Sequence, residues 1–149
     1  MNTACGNDFS KQTGRDELNK VSERVIGCAY QVSNTLGNGF LEKVYENALA
    51  HDLRKVGLAV EQQSPIQVFY DGVVVGDYVA DLLVEKSVLV ELKAVKALDQ
   101  IHFAQCLNYL KATGLNLCLL INFGTPRVQV KRIVAGKIFQ ETGTTDAHG

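Results

Sequence analysis

Three charged residues interrupt apolar stretches of the segment GDYVADLLVEKSVLVELKAVKAL, which runs from Gly76 to Leu98. Asp81 lies in the first stretch, and Glu91 and Lys93 lie in the second. A charge in such a place costs free energy unless it is paired or bound to a metal ion. Two carboxylates can hold a divalent cation, and a nearby amine can orient a water molecule and offset developing negative charge. Together they are the components of metal-assisted phosphodiester hydrolysis.

Strand geometry predicts that the two carboxylates face each other. Side chains alternate between the faces of a β-strand. One face of the second strand therefore carries Leu89, Glu91 and Lys93, and one face of the first carries Tyr78, Ala80, Leu82 and Val84. A turn centred on Lys86 brings the apolar faces to one core and places Asp81 directly opposite Glu91. Directly opposed Cβ atoms lie about 4.5–5.5 Å apart, where two carboxylates repel unless a cation or proton lies between them.

A simpler interpretation of the same residues stays open. Glu91 and Lys93 could be an exposed pair on one strand, with Asp81 near the end of an edge strand. A Glu-Leu-Lys sequence by itself favours that interpretation. The additional acid at a matching position favours the metal site.

The rest of the sequence predicts the elements that position these residues. Helical spacing of apolar residues predicts a helix over 16–36 and a second over 40–57. The Asp71-Gly72 pair between apolar strands predicts a hairpin. A strand at 88–94, a helix over 97–114, a buried strand at 115–124 and a more exposed strand at 127–134 follow. The order ααβββαββ predicts an α/β fold with a mixed sheet of about five strands flanked by helices.

Length and composition indicate one folded domain. The chain has 149 residues, of which 46% are hydrophobic. We expect this domain to span residues 15–140, between polar, disordered tails at 1–14 and 141–149. No apolar run approaches the roughly 18–20 residues of a membrane span, and no secretory signal is recognisable, so we expect a cytoplasmic protein. The four cysteines have no paired spacing, and the apolar surroundings of Cys28, Cys106 and Cys118 favour buried thiols over zinc ligands or disulfides.

The charge is unevenly distributed along the chain. The net charge is −1, but the segment from Lys86 to Lys137 carries eight basic and two acidic residues, a net charge of +6. A basic half of this kind could lie along a phosphate backbone. An ordinary solvated surface explains the same residues equally well.

Two motifs resemble a known family. Asp81, a spacer of nine residues and Glu91-Leu92-Lys93 resemble the D…(D/E)-x-K signature of the PD-(D/E)XK nuclease superfamily, although Ala80 stands where the proline of that signature would be. The predicted element order resembles the restriction-endonuclease-like αβββαβ core of that superfamily. Gly39, Glu42 and Tyr45 resemble the G-x-x-E-x-x-Y motif of the GxxExxY proteins, a bacterial and archaeal group within it. The resemblance covers residues 18–134.

The resemblance implies roles for individual residues. It implies that Asp81 and Glu91 ligate Mg²⁺ or Mn²⁺, that Lys93 is the catalytic lysine, and that Glu42 is a further acid directed at the metal ion or its water. Tyr45 lies one helical turn beyond Glu42 and is a substrate-binding candidate, with a core aromatic as the alternative. Gln105 and Tyr109 resemble polar positions that face the active site in some members and are the other substrate-binding candidates.

The residues together with this resemblance imply a prokaryotic, magnesium-dependent nuclease whose partner is nucleic acid, either DNA or RNA. The alternative is a non-catalytic nucleic-acid- or protein-binding module that retains the nuclease fold. The exposed final strand could pair with another chain, which leaves a homodimer open.

Overall fold

The computed structural model describes the backbone of residues 3–136 and 140–141 and the side chains of residues 14–136. Its three helices are α1 (Thr3–Leu36), α2 (Glu42–Lys55) and α3 (Gln100–Thr113). Its six strands are β1 (Val60–Tyr70), β2 (Val73–Val84), β3 (Val88–Lys93), β4 (Leu117–Asn122), β5 (Gln129–Val134) and β6 (Gln140–Glu141). Among the described residues, none of the helices is long and apolar enough to cross a membrane.

The strands form one mixed sheet in the order β1-β2-β3-β4-β5-β6. Neighbouring strands are antiparallel except for β3 and β4, which run parallel because α3 carries the chain across the sheet between them. Two-residue segments with positive φ make the tight turns: Asp71-Gly72 joins β1 to β2, and Glu85-Lys86 begins the turn from β2 to β3. The predicted α/β fold and the predicted hairpin are confirmed.

Helices cover both faces of the sheet. On one face, α1 and α2 pack on Leu82, Val84 and alternate residues of β3 and β4. On the other face, α3 packs on Leu89, Cys118 and Leu120. The central strand β4 is buried along its whole length because it is covered on both sides. This three-layer arrangement leaves the C-terminal end of β3 facing the beginning of α2 and the side of α3.

Several boundaries differ from those that the sequence predicts. Helix α1 begins at Thr3, inside the predicted N-terminal tail, although residues 3–13 show no apolar period. Helix α2 begins at Glu42, and Leu41 just before it is 81% exposed rather than packed on the core. Strand β5 is no open edge, because β6 pairs with its Lys131 and Arg132. Most of the predicted C-terminal tail, 142–149, lies outside the described residues.

The prediction of buried thiols concerns three cysteines, and the structure describes the side chains of all three. Cys106 and Cys118 are buried, Cys28 is half-buried, and all three are free thiols. The side chain of Cys5 lies outside the described residues.

Candidate active site

Asp81 and Glu91 meet where the β2–β3 ladder ends. The ladder pairs Leu82 with Val90 and Val84 with Val88, the register that the sequence predicts. One step further, side chains replace the backbone partners. The Asp81 amide donates to Glu91 Oε2 at 3.0 Å, and the Leu92 amide donates to Asp81 Oδ2 at 2.8 Å. Each carboxylate thus closes a ladder rung with one oxygen.

The side chains of β2 switch from one face of the sheet to the other at Asp81, which the alternation rule does not predict. Leu82 and Val84 pack on the α1 and α2 side, whereas Ala80 packs with the α3 side. The prediction that Ala80 shares a face with Leu82 is therefore wrong. The physical reason is that regular strand pairing is interrupted on both sides of Asp81. On the β3 side, the Asp81 amide donates to the Glu91 carboxylate instead of a backbone carbonyl. On the β1 side, the ladder skips Gln63, which has a φ of 54°.

Lys93 is held by a short chain of polar side chains on α3. Its Nζ donates to Gln105 Oε1 at 3.3 Å, and Gln105 Nε2 donates to the Tyr109 hydroxyl at 3.1 Å. Gln105 and Tyr109 are one helical turn apart, so they form one row on α3. Tyr109 also contacts the ring of Tyr78, with ring centroids 5.8 Å apart. The sequence candidates Lys93, Gln105 and Tyr109 therefore lie together.

Glu42 reaches the same site from the first residue of α2. The Ala94 amide hydrogen-bonds to its carboxylate, and Asp81 and Lys93 are close enough to influence its charge. The positive end of the helix dipole favours a carboxylate at this position. The structure therefore brings together all four predicted charged residues, Glu42, Asp81, Glu91 and Lys93.

Glu46 is a fifth charged residue near this cluster, and it forms a salt bridge with Lys43. Glu46 is buried and accepts hydrogen bonds from Lys43 Nζ at 3.1 Å and 3.2 Å, from Gln62 at 2.9 Å and from Gln63 at 2.9 Å. A side-chain hydrogen bond also joins Gln63 to Asp81. Gln63 thus links Glu46 to the site, a connection with no signal in the sequence.

Tyr45 has a different environment from the other candidates. Its side chain is 0% exposed and its ring stacks on Phe123, with centroids 4.6 Å apart. The hydroxyl donates to the Gly37 carbonyl at 2.6 Å and accepts the Phe40 amide at 3.1 Å. A substrate cannot contact Tyr45 while the loop of residues 37–41 covers it. The contacts describe a residue that fixes the loop entering α2, and hence the position of Glu42.

Asn122 fixes the chain that leaves β3, and the sequence analysis did not single it out. It is fully buried, and its Oδ1 accepts the Val95 and Gly124 amides, both at 3.0 Å. Its Nδ2 donates to the Val95 carbonyl and to Gln129 Oε1, again both at 3.0 Å. A Cβ on Gly124 would lie 2.3 Å from Val95 backbone atoms, so only glycine permits this approach. An asparagine within the apolar stretch LCLLINF is the signal that could have identified it.

Burial and mutual repulsion raise the pKa values of the acids. Desolvation is the largest cause for Glu42, Asp81 and Glu91, and a neighbouring carboxylate raises each pKa further. The effect is strongest for Glu91, which is 4% exposed and whose pKa rises to about 8. Burial, followed by the charges of Glu91 and Asp81, also raises the pKa of Tyr109 to about 12, which keeps its hydroxyl protonated. Acids that repel one another in this way favour a cation between them.

The donor set fits a hard divalent cation. Asp81 and Glu91 place two carboxylates side by side, and Mg²⁺ is commonly held by one or two carboxylates together with waters and substrate phosphates. No three His, Cys, Asp or Glu side chains within residues 14–136 are arranged as a ready-made metal site. A zinc-type cage of three or four such ligands is thus not present in that part of the chain.

A comparison with protein-family models shows to which superfamily the chain belongs. The model described as the PD-(D/E)XK nuclease superfamily matches residues 19–133. The chain belongs to the PD-(D/E)XK nuclease superfamily. The match contains every element from the middle of α1 to β5 and all of the charged residues described above.

A solved structure resembles part of the chain, whereas the curated proteins give no match. It is an alkaline exonuclease from Laribacter hongkongensis, with 17% sequence identity and a TM-score of 0.46. The similarity covers 62% of this chain and 55% of the exonuclease. This chain thus spans about half the length of that enzyme.

Proposed function

We propose that this PD-(D/E)XK protein hydrolyses phosphodiester bonds of nucleic acid with Mg²⁺ or Mn²⁺ at the end of β3. The observation that supports this most directly is the convergence of Asp81, Glu91 and Lys93, with Glu42 added from α2. The charged residues come from separate elements, and their burial costs free energy that a purely structural surface would avoid. Strained or costly charge clusters of this kind are typical of catalytic sites.

Each residue has a proposed part in the reaction. Asp81 and Glu91 would hold the metal ion through carboxylate oxygens, with Glu42 as a further ligand or as an acceptor for a metal-bound water. A bound Mg²⁺ would polarise the phosphate and acidify a water molecule. The Lys93 ammonium would hold the attacking water and stabilise the charge that develops on the phosphate oxygens. Gln105 would keep that ammonium directed into the site, and Tyr109 would hold Gln105.

The motif around α2 supports a finer assignment. Gly39, Glu42 and Tyr45 supply a glycine with a φ of 118°, an acid at the site and a buried tyrosine that fixes the loop between them. Since each residue of the motif has a distinct role in one local structure, we assign the chain to the GxxExxY group. With that assignment we propose a prokaryotic protein that acts in the cytoplasm.

The first experiment is a cleavage assay on labelled single- and double-stranded DNA and RNA, with Mg²⁺, Mn²⁺ or EDTA. Lys93→Ala is the test variant. Lys96→Ala is the matched control, because Lys96 is an exposed lysine three residues after Lys93. We expect metal-dependent cleavage in the wild type and in Lys96→Ala, and a loss of at least about a hundredfold in Lys93→Ala. Equal cleavage by both folded variants would refute the assigned role of Lys93.

A non-catalytic module remains the second candidate, and one observation favours it. Asp81 and Glu91 each accept a backbone amide, so both also have a structural use. The Asp81→Asn variant separates the candidates, because asparagine keeps an oxygen for the Leu92 amide but loses the charge. A catalytic site loses Mn²⁺ affinity in this variant, measured by calorimetry. A binding module keeps metal-independent affinity for nucleic acid or protein in both forms.

A further inference from the structure

Gln63 has a backbone conformation that a β-strand does not require. Its φ is 54° although it lies inside β1, and the β1–β2 register omits it together with the residue opposite, Asp81. Positive φ costs free energy for a residue other than glycine, and such a residue keeps this conformation where surrounding contacts impose it. The contacts of the Gln63 side chain therefore indicate what the conformation serves.

The carboxamide of Gln63 is shared by two carboxylates. Its Nε2 donates to Glu46 Oε1 at 2.9 Å, and a side-chain hydrogen bond also joins Gln63 to Asp81. An ionised carboxylate only accepts hydrogen bonds, so each acid takes one of the two hydrogens on Nε2. Gln63 thus fixes the Asp81 carboxylate relative to Glu46.

Glu46 is a fixed anchor for this carboxamide. It is buried, and donors on three side chains hold both of its oxygens: Lys43, Gln62 and Gln63. Hydrogen bonds to an ionised group are roughly twice as strong as those between neutral groups. The carboxylate of Glu46 therefore has little freedom to move, and neither has the carboxamide that it binds.

Asp81 is held from both neighbouring strands. The Leu92 amide of β3 donates to its Oδ2 at 2.8 Å, and Gln63 reaches it from β1. Groups that hydrogen-bond to a metal ligand fix its orientation, and their loss typically lowers metal affinity about 10–100-fold. We propose that Gln63, anchored on Glu46, is a positioning residue that orients the Asp81 carboxylate for metal binding, which rests on the proposed function in which Asp81 is a metal ligand.

The preceding residue, Gln62, supplies a matched control. Its side chain hydrogen-bonds to three residues of α2: Glu46, Asn47 and Arg54. Gln62 and Gln63 thus both support Glu46, whereas the hydrogen bond to Asp81 comes from Gln63. A purely structural role in holding α2 on β1 would make substitutions of the two glutamines equivalent, and orientation of Asp81 would not.

Calorimetric titration of the full chain with Mn²⁺ tests this role, with circular dichroism of each variant as the check on folding. The test variant is Gln63→Asn, because asparagine tolerates positive φ and its carboxamide is one methylene closer to the backbone. The control is Gln62→Asn. We expect at least a tenfold loss of Mn²⁺ affinity in Gln63→Asn and less than about a twofold change in Gln62→Asn.

Gln63→Gly is measured in parallel, because glycine adopts positive φ without strain and removes the carboxamide altogether. It should bind Mn²⁺ as weakly as Gln63→Asn while keeping the native circular dichroism spectrum. Wild-type affinity in both Gln63 variants, or an equal loss in Gln62→Asn, would overturn the positioning role and leave the proposed function standing. A wild type that binds no Mn²⁺ would instead refute the metal-dependent function, and the positioning role with it.

Discussion

Replacing Glu91 by glutamine should remove most of the pH dependence of stability that its buried carboxylate gives to the metal-free protein. The pKa of Glu91 is raised from 4.5 to about 8 in the folded state, chiefly because burial disfavours the charge. Between these two values the unfolded chain has lost the proton that the folded chain keeps. Stability is therefore fully present below about pH 4.5 and declines as the pH rises towards 8.

The size of the effect follows from the shift. One pH unit across that interval changes the free energy of unfolding by about 1.4 kcal/mol, so the total is on the order of 3–5 kcal/mol. The pKa values of Asp81 and Glu42 are also raised, which adds a smaller decline of the same sign. Glutamine keeps an oxygen for the Asp81 amide and removes the charge, so Glu91→Gln should be more stable than the wild type at pH 8 and similar to it at pH 5.

The assay is urea unfolding in EDTA at pH 5, 6, 7 and 8 for the wild type, Glu91→Gln and the exposed control Glu61→Gln. The control should follow the wild type. Added Mg²⁺ should restore wild-type stability at pH 8, because metal binding competes with the proton, and should leave Glu91→Gln unchanged. Parallel pH profiles of stability for the wild type and Glu91→Gln would show that burial does not raise the pKa of Glu91, and the electrostatic reasoning would be refuted.

Three further substitutions test the supports of the site. Gln105→Ala should lower the cleavage rate about three- to tenfold with little change in thermal unfolding, because Lys93 loses one hydrogen bond; a rate equal to the wild type would mean that Lys93 is positioned by other contacts. Tyr45→Phe should cost about 1–2 kcal/mol in urea unfolding, since it leaves the Gly37 carbonyl without a donor; an unchanged stability would contradict the role of the hydroxyl. Asn122→Ala should cost about 2–4 kcal/mol and speed hydrogen exchange at the Val95 amide, and a protected amide would show that other groups hold this segment.

The sequence predicted the meeting of Asp81 and Glu91 because alternation and a short turn leave few registers that bury both apolar faces. It did not predict that the side chains of β2 switch faces of the sheet at Asp81. That feature depends on Gln63, which adopts a φ of 54° and hydrogen-bonds to side chains on two other elements. Positive φ at a glutamine inside a strand has no local sequence signal, since tertiary contacts alone stabilise it.

The burial of Glu46 and the role of Asn122 were missed for a related reason. Both satisfy groups that are distant in sequence: Glu46 binds glutamines 16 and 17 residues later, and Asn122 binds Val95, 27 residues earlier. Helical spacing shows which face of α2 is apolar, but not that a polar strand will cross that face. An asparagine or glutamate in a predicted core position is the indication that such a partner exists.

The hairpin that joins β2 to β3 has a consequence for how the protein folds. Asp81 and Glu91 are separated by a loop that closes locally, whereas the parallel pairing of β3 with β4 must wait for α3 to cross the sheet. The two carboxylates can therefore meet before β3 pairs with β4, and their repulsion opposes closure of the β2–β3 hairpin. A divalent cation bound between them would remove that repulsion during folding as well as in the native protein. Refolding should consequently accelerate with Mg²⁺ concentration, and in Glu91→Gln it should be fast without the ion.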